Sequence, residues 1–168
     1  AGLIFGGLDP SPAYVGLTES FNGTSWTEVN NLNTARGRAL GAGTSTAALC
    51  AGGYTTPPAT SYANSETWNG TSWTEGNDLN LARAWAQGQG AGTTGAALMM
   101  GSTDPATINC EEYDGTSWAA SASLGTARYG AGGAGTTSLA IMIGGGPGNG
   151  VTTVEEYTGA SSVATAST

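Results

Sequence analysis

Acidic and basic side chains recur at a fixed spacing in this sequence, and such a pattern is the first that could perform acid–base chemistry. Each glutamate of the set stands seven residues before a tryptophan, and each arginine stands ten residues after one. A ring of catalytic groups would show this pattern, but one acid and one arginine per repeat are more typical of a structural ion pair or a hydrogen-bond clamp. We therefore predict a structural role for these residues, with the tryptophans as buried wedges between units. The residues are Glu19, Glu66, Glu111, Arg36, Arg83, Arg128, Trp26, Trp73 and Trp118.

The residue types that are missing exclude most catalytic chemistry. The 168 residues contain no histidine and no lysine, which excludes histidine-based triads, zinc–histidine sites and Schiff-base lysines. The net charge is -8 and the arginines are scattered, whereas nucleic-acid grooves cluster basic side chains against phosphates. No run approaches the roughly 20 apolar residues that span a bilayer. We predict a protein that is not an enzyme, with no catalytic residue, metal, cofactor, nucleic-acid partner or membrane insertion.

Two pairs of adjacent acids could be mistaken for a glycosidase site. They are Glu111-Glu112 and Glu155-Glu156. Neighbouring residues of a strand point to opposite faces, so one acid of each pair is expected to point inward and the other outward. Such a pair cannot place two carboxylates on one substrate.

Cysteine, asparagine and aspartate offer three further candidate sites. Cys50 and Cys110 fall in different units, which favours two free buried thiols over a disulfide. Asn22 and Asn69 fit the N-glycosylation sequon, although a turn role explains both. Asp9 and Asp104 stand in loops and would give two of the six to eight oxygens that calcium takes, but nothing in their spacing indicates such a site.

An internal repeat positions all of these residues. Glu-Ser-Phe-Asn-Gly-Thr-Ser-Trp at 19–26 returns as Glu-Thr-Trp-Asn-Gly-Thr-Ser-Trp at 66–73 and as Glu-Glu-Tyr-Asp-Gly-Thr-Ser-Trp at 111–118, and a degraded copy begins at Glu155. The steps between the copies are 47, 45 and 44 residues. The Asn-Gly or Asp-Gly pair inside each copy predicts a type I′ hairpin turn. A second turn, Gly-Thr-Ser or Gly-Thr-Thr, begins at Gly43, Gly92 and Gly135.

These signals predict an all-β chain with four short antiparallel strands in each unit. The first strand of each unit is poor in bulk, at 39–42, 87–91 and 129–133, as crowding around a central axis requires. A four-stranded unit repeated about every 45 residues matches the blade of a β-propeller.

The order of landmarks also resembles the kelch motif. An apolar run closed by glycines is followed by a variable loop, a glutamate before an aromatic residue, a turn, a tryptophan and then Ala-Arg before a glycine-rich strand. The resemblance covers the whole chain and implies a single kelch-type β-propeller domain over 1–168. Its four-stranded antiparallel blades would occupy about 1–34, 35–81, 82–126 and 127–168. The third unit departs from the motif with Gly101-Ser102 in place of Gly-Gly, and the last has no tryptophan or arginine after its Glu155.

The first unit opens with its glycine-terminated strand, so the first blade is expected to lack its innermost strand. The residues after Gly159 suffice only for the outer strand of the fourth unit. An open sheet edge is a template for pairing. We therefore expect either further blades of a longer chain or a strand from a neighbouring subunit.

One edge of the units carries the variable loops, and loops on a rigid scaffold tend to carry function. Tyr14, Tyr54, Tyr62 and Asp104 lie in these loops. The tyrosines are candidates for stacking on a sugar ring or packing on a protein, and the alternative is that they cap the blade ends.

The function expected from these observations is that of a non-enzymatic structural or adhesion module. The repeated sequence Asn-Gly-Thr-Ser-Trp-Thr-Glu, in a chain with few charged residues, is most similar to kelch-like repeats in virion proteins of tailed bacteriophages. This resemblance implies an extracellular or virion location, self-association and a surface ligand such as a glycan. One alternative is the propeller part of a carbohydrate-active enzyme. A copper site of the galactose oxidase type would need histidines that this sequence lacks. Another is an intracellular kelch-type adaptor.

Overall fold

The fold consists of β-strands joined by turns and loops. The computed structural model describes residues 1–84, 90–103, 106–146, 152–159 and 163–166. All regular secondary structure in these ranges is β-strand, which confirms the predicted all-β class. None of the ranges contains a helix long and apolar enough to cross a bilayer.

Seventeen strands are present in the described ranges. In chain order they are β1 (Gly2–Leu8), β2 (Tyr14–Phe21), β3 (Trp26–Val29), β4 (Leu40–Thr44), β5 (Ala47–Ala51), β6 (Tyr54–Thr55), β7 (Thr60–Ser61), β8 (Ser65–Trp68), β9 (Trp73–Glu75), β10 (Gly90–Thr93), β11 (Ala96–Thr103), β12 (Ala106–Tyr113), β13 (Trp118–Ser121), β14 (Gly132–Gly135), β15 (Ala140–Ile143), β16 (Val154–Tyr157) and β17 (Val163–Ala166).

The strands form four main antiparallel sheets, one for each repeat. Sheet 1 has the order β1-β2-β3, sheet 2 has β4-β5-β8-β9, sheet 3 has β10-β11-β12-β13 and sheet 4 has β14-β15-β16-β17. The short strands β6 and β7 form a separate hairpin. Each main sheet is a meander, because its strands pair antiparallel in the order in which they occur along the chain. Sheet 1 has three strands where the other sheets have four.

The Asn-Gly and Asp-Gly pairs do lie at hairpin turns, but the turn type differs from the prediction. Phe21 pairs with Trp26, which leaves a four-residue loop. Gly23 has a φ of +108° while Asn22 is not left-handed, so a type I′ turn is wrong. The side chain of Asn22 closes this loop, since its Oδ1 accepts hydrogen bonds from the amides of Thr24 at 2.8 Å and Ser25 at 3.0 Å.

The first strands of the units begin later than predicted. In the fourth unit the prediction began at Tyr129, but β14 begins at Gly132. The reason is that Tyr129 belongs to the connection, where its carbonyl accepts a hydrogen bond from Gly146 at 3.0 Å and Gly130 turns the chain with a φ of +60°. In the second unit β4 begins at Leu40. Residues 87–89 of the third predicted strand lie outside the described residues.

The core is divided into three apolar clusters, and each cluster lies between consecutive sheets. Between sheets 1 and 2 it contains Leu32, Ala48, Cys50, Trp68 and Trp73, with Leu3 and Phe5 packed against it. Between sheets 2 and 3 it includes Leu49, Leu79, Met99, Tyr113 and Trp118. Between sheets 3 and 4 it includes Leu98, Met100, Leu124, Met142 and Tyr157. In every case a leucine from the connecting segment takes part.

The first strands of sheets 2, 3 and 4 lie side by side, because β10 contacts both β4 and β14. Glycine is required where they approach. A Cβ on Gly90 would overlap Cδ1 of Leu40, which is 1% exposed, and would lie 2.9 Å from the carbonyl oxygen of Leu98.

We expect Gly90→Ala to lower the free energy of unfolding by about 1–3 kcal/mol, because the added methyl overpacks this contact between sheets. Gly132→Ala in β14 is the matched control, since a Cβ there meets no atom within 4 Å. Urea unfolding of both variants measures the difference. Equal midpoints for the two would contradict the close approach of β4 and β10.

Candidate functional site

Three seven-residue segments fasten each sheet to the next. We call 30–36, 77–83 and 122–128 the clasp segments; each follows the last strand of one sheet and ends in an arginine. The carbonyl of that arginine lies over its own sheet, against Gly6, Gly52 and Gly101 respectively. These glycines share a φ of +64°, and a Cβ would collide with the carbonyl. The arginine side chain then reaches across to the next sheet.

The clasp on sheet 3 joins Asn80 and Arg83 to the carboxylate of Glu111. Oε2 of Glu111 accepts from the backbone amide of Asn80 at 2.7 Å and from its Nδ2 at 2.8 Å. Oε1 is paired with Nη2 of Arg83, while Nη1 of Arg83 donates to the carbonyl of Asn109 at 2.9 Å. Both carboxylate oxygens are therefore satisfied. Charge-assisted hydrogen bonds of this kind are stronger than neutral ones.

Sheet 2 carries the same arrangement with a looser arginine. The Oε2 of Glu66 accepts from the amide of Asn33 at 2.7 Å and from its Nδ2 at 2.9 Å, and Oε1 accepts from the amide of Thr34 at 3.2 Å. Nη2 of Arg36 lies 2.9 Å from Oε1. This contact is an ion pair without hydrogen-bond alignment, since neither Nη1 nor Nη2 of Arg36 has a hydrogen-bond partner.

The clasp on sheet 4 has no amide side chain at this position. Gly125 stands where the other clasps have asparagine, so only its backbone amide reaches Oε2 of Glu155, at 2.6 Å. Nη2 of Arg128 lies 2.5 Å from Oε1 and also donates to Oγ1 of Thr153 at 2.9 Å. Nη1 donates to the carbonyls of Gly144 and Thr153, both at 3.0 Å.

All three ion pairs are sealed from solvent. The side chains of the three arginines are 0% exposed, and those of their glutamates are at most 3% exposed. Burial lowers the pKa of Arg83, and the neighbouring carboxylate of Glu111 opposes that effect. A carboxylate closed off in this way has no room for a substrate, so these groups fasten sheets together and do not act on a ligand.

The partners of the arginines differ in one respect from the predicted set. Each arginine pairs with the glutamate of the following sheet, so the third pair uses Glu155, while Glu19 is exposed and none of the three buried arginines reaches it. The prediction that Glu19 belongs to a structural ion pair is therefore wrong for the described residues. The offset by one unit is the physical reason, since no described sheet precedes sheet 1.

The same offset explains the tryptophans. Trp73 and Trp118 are each 6% exposed, and Nε1 of Trp73 donates across to Oγ1 of Thr18 in sheet 1 at 3.0 Å. Trp26 is 48% exposed, which corrects its prediction as a buried wedge. It lies on the face of sheet 1 that has no described neighbour, where its ring packs against Phe21, with 5.1 Å between ring centroids.

The adjacent acids point to opposite faces. Glu111 is buried and Glu112 is half-buried, while Glu155 is buried and Glu156 is exposed. Glu112 has a use that the sequence did not indicate. It accepts a hydrogen bond from the hydroxyl of Tyr157 in sheet 4 and another from Oγ of Ser121 at 2.9 Å, and so joins sheets 3 and 4.

An aromatic cluster lies at the edge of the sheets that carries the variable loops. The rings of Tyr14 and Tyr54 meet edge to face with 5.7 Å between centroids. The guanidinium carbon of Arg38 lies 5.9 Å from the centroid of the Tyr54 ring, and Gly37 pairs with Tyr54 through backbone hydrogen bonds of 3.1 and 2.8 Å. The structure thus brings two predicted residues together and adds Arg38. In the sequence, only its position two residues after Arg36 pointed to Arg38.

The other predicted loop residues have different surroundings. Tyr62 is half-buried, and its backbone amide and carbonyl bond to Gly53 at 2.9 Å and Arg83 at 3.0 Å. Asp104 lies outside the described residues. Asp9 orders its own loop, because its Oδ1 accepts from the amide and hydroxyl of Ser11 at 2.8 and 2.7 Å. These bonds lower the pKa of Asp9. Within the described ranges no group of three or more acidic, cysteine or histidine residues could hold a metal ion.

A cleft of about 690 Å³ lies among the first strands of the units. Glycine and alanine of β4, β10 and β14 form much of its wall, together with the start of β1. None of the described residues that line it has an ionisable side chain, so these residues offer shape and backbone groups.

Both cysteines are free and buried. Burial raises the pKa of Cys50, although Nε of Arg36 lies 3.5 Å from its Sγ. Burial likewise raises the pKa of Cys110 to about 11. Thiols held in the neutral form in this way are poor nucleophiles and poor metal ligands.

The comparisons with known proteins leave the geometry as the only guide to function. No protein-family model matches the chain. No curated protein matches it either.

We expect Glu111→Gln to lower the free energy of unfolding by about 3–5 kcal/mol, because it leaves the buried Arg83 without its counter-ion. Glu19→Gln is the matched control from the same repeat position and should change stability by less than about 0.5 kcal/mol, since Glu19 is exposed. Urea unfolding at neutral pH measures both. Similar losses for the two variants would show that the buried pair contributes no more to stability than the exposed Glu19.

Stability should also fall in alkali. The pKa of Cys110 is about 11 in the folded protein, against an ordinary value of 9.0 for a cysteine thiol. Between these two values the folded chain therefore retains a proton that the unfolded chain releases. The stabilisation is complete below pH 9 and is lost as the pH rises to about 11. Cys110→Val, the residue found at the corresponding position 154 of sheet 4, should remove part of this dependence. A Cys110→Val curve parallel to wild type from pH 8 to 11 would contradict the assignment.

Proposed function

We propose that this chain forms four consecutive blades of a kelch-type β-propeller and serves as a non-enzymatic structural and attachment module of a virion or another extracellular assembly. The observation that carries the proposal is the repeated clasp. Each sheet is fastened to the next by the same segment in the same sense, and the glycine-rich first strands meet around one cleft. A series of sheets related in this way favours a radial arrangement.

The chemistry of the described residues supports a role without catalysis. The repeated acids and arginines are sealed inside the clasps, and the two thiols are buried in the neutral form. A rigid scaffold that holds loops of differing sequence along one edge is suited to recognition.

The loop edge is the surface that we propose for attachment. Tyr14, Tyr54 and Arg38 offer partly exposed aromatic rings beside a guanidinium. Sugar rings stack on aromatic faces, and arginine donates several hydrogen bonds to hydroxyl groups. The net charge of -8 favours a neutral ligand over a polyanion, and a surface glycan fits these properties.

Glycan binding tests the proposal. We expect the labelled full chain to bind a subset of a glycan array, and Tyr54→Ala to weaken that binding at least about tenfold, the loss of one stacked ring and its contacts. Thr24→Ala at the opposite, turn-bearing edge is the control and should bind as wild type. Thermal unfolding of both variants checks that the fold survives. Absence of any bound glycan, or equal binding by the two variants, would contradict attachment through this cluster.

A further inference from the structure

The face of sheet 1 that points away from sheet 2 combines apolar side chains with a carboxylate. We call it the outer face; Ile4 is 51% exposed there, Leu17 45% and Trp26 48%. Glu19 is also exposed. Such a face is unusual beside three other sheets whose corresponding faces are covered. A cavity of about 290 Å³ lies on it, lined by residues that include Ile4, Leu17, Glu19 and Glu28.

The strand register identifies the outer face with three filled sites in the same molecule. Ile4 pairs with Glu19 as Cys50 pairs with Glu66, Met99 with Glu111 and Met142 with Glu155. The last three apolar residues are 0% exposed, and their glutamates are at most 2% exposed. In each case they are covered by the clasp segment of the preceding sheet together with apolar side chains from the strands of that sheet.

A clasp segment makes three kinds of contact with the face that it covers. Its leucine packs among the apolar side chains, as Leu79 does beside Met99 and Trp118. A backbone amide, joined in two clasps by an asparagine side chain, donates to Oε2 of the glutamate. The arginine pairs with Oε1, and in sheets 3 and 4 it also donates to the carbonyl two residues before that glutamate. On the outer face the corresponding groups are Ile4, Trp26, Glu19 and the carbonyl of Leu17.

A second copy of this chain does not have the complementary group. The dipeptide Ala-Arg, which ends every clasp, occurs only at 35–36, 82–83 and 127–128, and all three arginines are already buried in pairs. Two outer faces placed together would bring Glu19 and Glu28 against the same charges in a chain of net charge -8. Like charges brought together at an interface oppose binding.

We propose that the outer face of sheet 1 is a binding site for a clasp segment of the form Leu-Asn-x-x-Ala-Arg carried by a partner polypeptide. Its arginine pairs with Glu19, its asparagine donates to the second carboxylate oxygen, and its leucine covers Ile4 and Trp26. The site is independent of the ligand proposed for the loop edge, which lies on another surface.

A capped peptide with the sequence of residues 77–84 tests the site directly. Titrated into the isotope-labelled full chain, it should shift the NMR signals of the methyl groups of Ile4 and Leu17 and the indole of Trp26 in a saturable manner. The same peptide with Arg83→Gln, or the protein with Glu19→Gln, should bind at least about tenfold more weakly, because each leaves one charge unpaired. The protein with Glu156→Gln, an exposed glutamate of sheet 4, is the control and should bind as wild type.

A covalent version removes the entropic cost of binding a short free peptide. Residues 77–95 are appended before Ala1, because the pairing register makes Ala1 the counterpart of Ala96. We expect the unfolding midpoint to rise, and the rise to disappear with Arg83→Gln in the appended copy or with Glu19→Gln.

Three outcomes would overturn the proposal. The first is equal binding of the wild-type and Arg83→Gln peptides. The second is the absence of any saturable shift at millimolar peptide together with no gain in the appended chain. The third is a dimer of the unmodified chain, detected by sedimentation, in which Ile4 and Leu17 become buried, since this would assign the outer face to a second copy.

Discussion

A buried pair of arginine and glutamate joins each of sheets 1, 2 and 3 to the sheet that follows it and sets how the two sheets pack. A charge taken out of water is tolerated only when its partners are complete. Glu111 meets this requirement only if Asn80 and Arg83 are both in place, and that fixes the path of the clasp segment. The path in turn fixes the position of sheet 2 relative to sheet 3, because the carbonyl of Arg83 lies against Gly52 while its side chain lies in the next sheet.

The two edges of the sheets differ in their connections. One edge has short turns closed by the side chains of Asn22, Asn69 and Asp114, and these turns hardly vary. The other edge carries loops that differ in length and composition, with Tyr14, Tyr54 and Arg38 in contact. Because ion pairs hold the scaffold internally, the loop sequences can differ between units, which suits the attachment role that we propose.

The repeats allow equivalent residues to be compared within one molecule. Trp26 and Glu19 have the same type, phase and strand position as Trp73 and Glu66, yet the first two are exposed and the last two are buried. The difference arises from the neighbouring sheet and not from the residue or its strand. The outer face is therefore interpretable from the three covered faces, without any related protein for comparison.

The all-β class, the four units and the alternation that buries Glu111 and turns Glu112 to the other face can be predicted from the residues alone. Such features follow from local periodicity and turn chemistry, which a single chain displays directly. The packing of the sheets was needed to learn that Arg36 pairs with Glu66 and not with Glu19, that Trp26 is exposed, and that Arg38 lies beside Tyr54. Periodicity gives the phase of a residue within its unit, but a pair between units depends on which sheet packs against which. That choice is made by packing and by the completion of buried charges, across contacts more than 25 residues apart in the chain.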